Sequence, residues 1–490
     1  MKRILIFIVA YNASKHIASV LARIPPAVWE SPDYTADCII IDDASPDDTF
    51  AVATQAAAEL GRPIQVFRTP ANQGYGGNQK LGYRYAIERG YDGVVLLHGD
   101  GQYAPECLPD MLAPLVTGEA EVVFGSRMME KKNALKGGMP YYKYIGNQVL
   151  SFVQNRMLGL TLSEFHSGYR AYATSALKRI PFICNSNGFS FDTDIIIQCA
   201  DNGIAIHETP IPTHYGDEVC HVNGTKYAIA ILKACVQSRL MRFGIFYARK
   251  FDYADSGEVI YRDKTGFDSS HSFAVDAVAE GSRVLDIGDM PSHVARALKA
   301  KGCEVHGMDM FPSAAPEVFS LFVEADLALL TSPDELPKGP FGAVLLLDVI
   351  EHMPAPERTM EMLWRYCNAH GTPLVLTTPN IAFFSVRLML LLGWFQYGKA
   401  GILDRTHTRL FTFRSARHLV TQAGFRIVKK QGIPAPFPLA LSNQRVALRM
   451  LRFNRFLIRI SKSLFSYQIG FVLEPRPDLA RVFEDTIHPR

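Results

Sequence analysis

The chain of 490 residues is predicted to fold as two consecutive α/β units, each built on a mostly parallel sheet. Three observations predict it. Short apolar runs alternate with helical patterns along the first half, as in successive strand–helix repeats. The texture breaks near residue 250, where the polar run from Phe251 to Glu258 carries no long apolar segment. A fresh strand at 283–287 then opens a second series. The expected domains are therefore 1–250 and 251–490. At roughly 100–200 residues per domain, both halves can bury a core.

In the first unit, apolar runs at 4–9, 36–41, 64–67, 93–97 and 121–124 read as buried strands, with helices at 14–23 and 47–60 between them. In the second, strands are expected at 283–287, 305–308, 341–347 and 374–377, with a helix at 294–301. The N-terminal run is shorter than a signal-peptide core and leads into Tyr11-Asn12, so it reads as a strand and not a leader. No window reaches the ~20 apolar residues of a membrane-spanning helix. The nearest, 381–395, is interrupted by Arg387. A cytoplasmic location is expected.

Hydrophobic residues make up 48% and charged residues 20% of the chain, which indicates globular domains and excludes a disordered class. A net charge of +3 is too small to argue for a nucleic-acid partner. The eight cysteines form no CxxC pair, which excludes zinc-ribbon and thioredoxin-type sites and points to reduced, buried thiols.

Two polar clusters mark a first site. Asp42 and Asp43 follow the second strand, where open α/β sheets bind ligands and where a carboxylate can accept hydrogen bonds from a base or a ribose. Asp47, a little further on, is a candidate helix cap. After the fourth strand come His98-Gly99-Asp100-Gly101-Gln102. Asp100 and Gln102 offer hard oxygen ligands and His98 a nitrogen, a set suited to Mg²⁺ or Mn²⁺. Such an ion would stabilise a diphosphate leaving group.

Taken together, Ile8-Val9-Ala10-Tyr11-Asn12, Ile41-Asp42-Asp43-Ala44-Ser45-Pro46-Asp47-Asp48-Thr49, Asn72-Gln73-Gly74 and Asp100-Gly101-Gln102 resemble the family-2 inverting glycosyltransferases of the GT-A fold, a Rossmann-like architecture. The likeness is strongest to polyprenyl-phosphate sugar synthases and covers about residues 1–225, with Gly125-Ser126-Arg127 and Ser167-Gly168-Tyr169-Arg170 extending it. It implies that Ala10, Tyr11 and Asp43 hold the nucleoside, that Asp100 and Gln102 bind metal and diphosphate, and that Arg127 meets the acceptor. The family's Asp–x–Asp is altered, because His98 stands where its first Asp is usual. Asp192 and Asp194 sit where inverting relatives carry an acid. Either would serve as general base for a hydroxyl acceptor, and neither is needed for a lipid phosphate. Of His207, His214 and His221, separated by Pro210 and Pro212, only His214 is a candidate for the diphosphate.

The second unit carries a second site. Arg283-Val-Leu-Asp286-Ile-Gly288 is a strand ending in an acidic turn, followed by Asp309 about 20 residues on, a spacing that suits ribose recognition. Asp326 follows a third strand, and Asp348-Val-Ile-Glu351-His352 a fourth. This series resembles the class I SAM-dependent methyltransferases (SAM, S-adenosylmethionine) over about residues 255–475. The resemblance implies a SAM site lined by Asp286, Gly288, Asp309 and Asp326. Thr378-Pro379-Asn380 and Thr406-His407-Thr408-Arg409 fit small-molecule members, with His407 as a base. The usual glycines are replaced by Met290 and Ser292, beside Asp289 and Pro291, which crowds the SAM carboxylate and ribose.

Near 441–465, Arg445, Arg449, Arg452, Arg455 and Arg459 share one side of a predicted helix, with Leu448, Leu451, Phe453, Leu457, Ile460 and Leu464 mostly elsewhere. Basic amphipathic helices lie on anionic membranes, and 227–236 offers a second apolar helix. The expected protein is a bifunctional, membrane-peripheral enzyme of cell-surface glycan or lipid-linked sugar assembly. It would take a UDP- or GDP-linked nucleotide sugar, a polyprenyl phosphate or glycan acceptor, Mg²⁺ or Mn²⁺, and SAM. Two rivals are a glycosyltransferase with a non-catalytic methyltransferase-fold module and a non-catalytic nucleotide-sugar-binding scaffold.

Overall fold

The computed structural model describes the chain except for residues 131–133, 136, 213–223, 242–245, 253–262, 289–291, 314, 442 and 479–490. Met290, with Asp289 and Pro291, and the histidines His214 and His221 lie outside the described residues. The chain divides into two compact units. The first comprises Met1–Arg239 with Ala248–Ser256, the second Leu240–Tyr247 with Gly257–Arg490.

The first unit is a seven-stranded sheet in the order β3-β2-β1-β4-β6-β5-β7. Its strands are β1 (Lys2–Ala10), β2 (Tyr34–Asp42), β3 (Ile64–Arg68), β4 (Gly93–His98), β5 (Val122–Ser126), β6 (Arg170–Ala173) and β7 (Ile206–Pro210). All five expected strands are present, and β6 and β7 are additional. Only β6 runs antiparallel, to both β4 and β5. Ile4 to Ile8 have no exposed surface, which is why β1 reads as an unbroken apolar run and not as an alternating one. The expected helix at 14–23 is shorter, Ile17–Ala22, and that at 47–60 is Thr49–Leu60. Asp47 is not the cap residue. Asp48 occupies that position without a side-chain cap bond, while the Asp47 carboxylate accepts from Thr49 and from the Ser14 amide.

The second unit repeats the plan with the order β10-β9-β8-β11-β12-β14-β13. Its strands are β8 (Arg283–Ile287), β9 (Glu304–Asp309), β10 (Leu321–Glu324), β11 (Ala343–Leu347), β12 (Leu374–Pro379), β13 (Phe425–Ile433) and β14 (Gln468–Pro475). Here β14 is the reversed strand, antiparallel to β12 and β13. The parallel strands carry fully buried Val344, Leu345, Leu346 and Leu374.

The helix Gln444–Ile460 carries the five arginines. It buries Ala447, Leu451, Asn454 and Ile458 against its unit, and it leaves Phe453, Phe456 and Ile460 exposed beside Arg452, Arg455 and Arg459. The apolar residues are therefore not segregated from the arginines as expected. Among the described residues, no helix is long and apolar enough to cross a membrane, and Cys38, Cys199, Cys235, Cys303 and Cys367 are buried free thiols.

Candidate active sites

The carboxyl ends of β1, β2 and β4 border one cavity of about 1340 Å³ in the first unit. Its lining includes Ala10, Tyr11, Asp43, His98, Asp100, Gln102, Arg127 and Asp192. Eight of the sequence-predicted residues thus converge on one space, drawn from segments up to 182 positions apart in the chain.

Asp42 and Asp43 diverge because successive residues at a strand end face opposite ways. Asp42 is fully buried and does not line the cavity. It accepts from Ser45 and pairs with Arg68 at 3.5 Å, which assigns it to the turn and not to a nucleoside. Asp43 lines the cavity. Its Oδ1 accepts from Gln73 N at 2.8 Å and Thr69 Oγ1 at 3.0 Å, and its Oδ2 from Gly74 N at 2.9 Å. A carboxylate has about four acceptor positions, so Asp43 keeps capacity for a ligand N–H. The loops after β1 and β2 are stitched together: Asn12 N donates to Ser45 Oγ and Ala13 N to Thr49 Oγ1. Asn12 and Ala44 both adopt positive φ, 52° and 54°, unusual conformations that concentrate at functional sites.

Asp100 accepts the Gln102 amide at 3.0 Å. His98 packs edge-on against Tyr103 and Tyr75, and burial lowers its pKa, which keeps a ring lone pair available to a metal. Gly168 makes room for it, since a Cβ there would lie 2.7 Å from His98 Nε2. Asp100 and Gln102 bring oxygen donors and His98 an imidazole to the cavity lining, a donor set that suits Mn²⁺ better than Mg²⁺.

Asp192 and Asp194 stand in the first turn of the helix Phe191–Asp201. Asp192 faces the cavity and accepts from Tyr75 Oη at 3.1 Å and Gln79 Nε2 at 3.3 Å, with Arg170 at 3.7 Å. Asp194 does not line the cavity. Two positions along a helix it points elsewhere, pairing with Lys250 Nζ at 2.7 Å and accepting the Ser186 amide. Burial raises its pKa against that pairing. The structure thus removes Asp194 as a candidate base and leaves Asp192. Arg127 lines the cavity, but its guanidinium is engaged by Glu164.

Several lining residues carry no readable signal in the sequence. Tyr75, Asn78, Tyr103, His166 and Tyr227 join the cavity only through the fold. Tyr142, Lys143, Gly146, Asn147, Val149 and Leu150 come from the helix Tyr141–Leu158. The one available cue was the aromatic start of that helix, Tyr141-Tyr142, which is largely exposed.

In the second unit, the predicted SAM residues sit at the carboxyl ends of neighbouring parallel strands: Asp286 and Gly288 at β8, Asp309 at β9 and Asp326 beyond β10. That edge is where such sheets hold nucleotide-like ligands. Gly288 has φ +91°, and a Cβ there would meet Val349 Cγ2 at 2.3 Å. Both conditions admit only glycine. Asp286 is buried, while Asp309 and Asp326 close local turns onto the Phe311 and Ala328 amides. Ser292 occupies the N-cap position of the next helix with φ +57° and makes no side-chain cap bond. His407 is half-buried, with Nδ1 3.0 Å from the Ile402 carbonyl and its ring against His352.

Residues 5–181 match the glycosyl transferase family 2, and residues 261–430 match a methyltransferase domain family. An undecaprenyl-phosphate mannosyltransferase of Micrococcus luteus is 34% identical over 43% of this chain and 82% of its own length. A polyprenol monophosphomannose synthase of Mycolicibacterium smegmatis is 26% identical over 43% of this chain and 77% of its own. A SAM-dependent methyltransferase structure from Archaeoglobus fulgidus covers 44% of this chain and 97% of its own, at 20% identity and a TM-score of 0.29.

Proposed function

Because the chain belongs to glycosyl transferase family 2 through its first half and carries a methyltransferase domain in its second, we propose that it is a bifunctional enzyme of lipid-linked sugar or surface-glycan assembly. The first domain would pass a sugar from a UDP- or GDP-sugar to a polyprenyl phosphate, with inversion. The second would methylate a sugar or a related small molecule.

One observation carries the lipid-phosphate reading. The cavity that holds Asp43, Asp100 and Gln102 is also walled by the helix Tyr141–Leu158, on which Tyr141, Tyr142, Ile145, Val149 and Phe152 are exposed. A nucleotide site beside an unusually apolar surface suits a substrate with a phosphate head and an isoprenoid tail. Lys143 lines the same cavity and brings an ammonium group to it, while Arg127, also on its lining, is paired with Glu164. Of the two relatives named above, one is named for undecaprenyl phosphate and the other for polyprenol monophosphomannose.

In this reading Tyr11 and Ala10 form the nucleoside wall, and Asp43 accepts from the base or ribose. His98, Asp100 and Gln102 would hold Mg²⁺ or Mn²⁺, which supplies charge neutralisation to the departing diphosphate. The acceptor phosphate is already an anion, so its oxygen attacks the anomeric carbon without a base. A glycan hydroxyl would instead need Asp192 to take its proton. Exposed Phe453, Phe456 and Ile460 among arginines support peripheral contact with an anionic membrane surface on the cytoplasmic face. In the second domain Asp286, Gly288, Asp309 and Asp326 would line the SAM site.

The test is product analysis with sugar-labelled donors and, separately, methyl-labelled SAM. Sugar label carried into a polyprenyl-phosphate lipid supports the proposal. Label found only on glycan hydroxyls replaces the acceptor, and absence of any methylated product leaves a transferase alone.

A further inference from the structure

From the geometry of Glu351, His352 and His407, we infer that the second unit holds a divalent transition-metal site of the two-histidine, one-carboxylate kind. Each residue offers one ligand atom, and these atoms lie within 4.8 Å of one another. The three come from two segments. Glu351 and His352 occupy the turn after β11, and His407 the loop that precedes the helix Phe413–Gln422.

The protonation pattern prepares both imidazoles. His352 Nδ1 lies 3.1 Å from the Thr406 carbonyl, and His407 Nδ1 lies 3.0 Å from the Ile402 carbonyl. A carbonyl oxygen only accepts, so each Nδ1 carries the proton and each Nε2 keeps its lone pair. A ring N–H anchored on a backbone carbonyl is the usual support of a metal-bound histidine.

The carboxylate is prepared as well. Glu351 is 1% exposed. Its Oε2 accepts from Thr378 Oγ1 at 3.0 Å, whereas its Oε1 is buried with no hydrogen-bond partner among the described residues. An orphaned buried carboxylate oxygen is costly, and a cation shared with two imidazoles would satisfy it. The segments are also tied to each other, because the Thr408 and Arg409 amides donate to the Glu351 carbonyl at 2.9 and 3.0 Å.

In a tetrahedral site with bonds of ~2.1 Å the ligand atoms stand about 3.4 Å apart, so uptake draws the three side chains inward. Two imidazoles and one carboxylate suit Zn²⁺, Mn²⁺, Co²⁺ or Fe²⁺ and leave positions open for oxygen ligands. This makes His407 a metal ligand in place of a free base.

The location gives the site a use, a step that rests on the methyltransferase reading. Val349, two residues from Glu351, packs on the Gly288 turn. An acceptor hydroxyl bound to the cation would lose its proton to solvent more readily. Its oxygen would then form the bond to the methyl carbon of SAM. The methyl–sulfur bond breaks with its electron pair staying on sulfur, and the sulfonium becomes a neutral thioether. The ligand class is a hydroxyl-bearing acceptor that coordinates through oxygen.

The experiment uses the full chain, stripped by chelator and titrated with Co²⁺ alone. Visible absorption and metal analysis are the readouts, and circular dichroism confirms folding. Wild type and Asp100→Asn should both show an imidazole-bound Co²⁺ spectrum. His352→Gln and His407→Gln, each made in the Asp100→Asn background so that the first unit's metal set is disabled, should lose that spectrum and one metal equivalent per chain, and Glu351→Asp should retain part of it. Equal stoichiometry and an unchanged spectrum in both folded histidine variants would overturn the site. Calorimetric binding of SAM to the same samples separates the two readings. Metal uptake without SAM binding supports the site and removes the methylation role. SAM binding with no histidine-dependent uptake overturns the site alone.

Discussion

Arg127 and Glu164 form a buried, multiply bonded ion pair on the wall of the first cavity. The Glu164 carboxylate accepts from the Arg127 amide at 2.8 Å and from its Nε at 3.1 Å, with further contact to Nη2 and to Asn147 Nδ2. Burial alone would raise the Glu164 carboxyl, but the charge and hydrogen bonds of Arg127 hold it below the ordinary glutamate value. Breaking a buried pair from one side costs about 3–5 kcal/mol. Glu164→Ala should therefore lower the thermal midpoint strongly, and Arg127→Met/Glu164→Leu should recover part of the loss. Thermal denaturation of the three proteins checks this. A single variant as stable as wild type would show that the pair contributes nothing.

Asp192 and Asp194 should separate activity from stability. Asp194→Asn leaves Lys250 without its partner and should destabilise the fold by about 2–4 kcal/mol, with donor binding retained. Asp192→Asn removes the cavity-facing carboxylate and should reduce turnover with a hydroxyl acceptor by about 10²-fold or more. Turnover on a lipid phosphate should fall far less. Denaturant unfolding and initial rates on the two acceptor classes decide it.

Asp43→Ala should weaken nucleoside diphosphate binding by at least about tenfold, or ~1.4 kcal/mol, because the Gln73 and Gly74 amides lose their acceptor and the loop loses its shape. Asp42→Ala should act on stability first, since Asp42 stays inside the turn. Isothermal calorimetry with UDP and GDP against thermal denaturation distinguishes the two.

Gly288→Ala places a methyl group against Val349 at positive φ and should cost about 1–3 kcal/mol, together with SAM binding. Adding Val349→Ala removes the clash but not the backbone strain, so stability should return in part. Full recovery would show that φ is not limiting there.

Burial pushes His166 down to about 4. The folded state therefore favours the neutral ring, and its stability is complete above pH 6.5 and declines as pH falls toward 4. At pH 5 that decline is about 2 kcal/mol, at ~1.4 kcal/mol per pH unit. His166→Gln should lose less stability than wild type between pH 7 and pH 5, as read from thermal midpoints.

The parts of the fold readable in the sequence are those where one chemistry dominates a segment. The central strands of both sheets are covered on both faces, so β1, β4, β8 and β11 announce themselves as apolar runs. β6 escapes because it begins with Arg170, a fully buried charge stabilised by the Ser167, Asp192 and Phe165 carbonyls. β13 escapes because Lys429 and Lys430 interrupt its pattern at a register shift. Within the site, motif spacing finds Asp43, Asp100 and Gln102, since each follows a strand. It does not choose between Asp42 and Asp43, or between Asp192 and Asp194, because orientation is set by strand pleat and helix phase. The Arg127–Glu164 pair joins residues 37 positions apart, a distance across which no local pattern operates.

The most direct test of the transferase reading is release of nucleoside diphosphate from UDP- and GDP-sugars by the purified full chain, with Mn²⁺ and polyprenyl phosphate. The expected result is metal-dependent release that polyprenyl phosphate stimulates and that Asp100→Asn abolishes. Release that is indifferent to metal and unchanged in Asp100→Asn would contradict it.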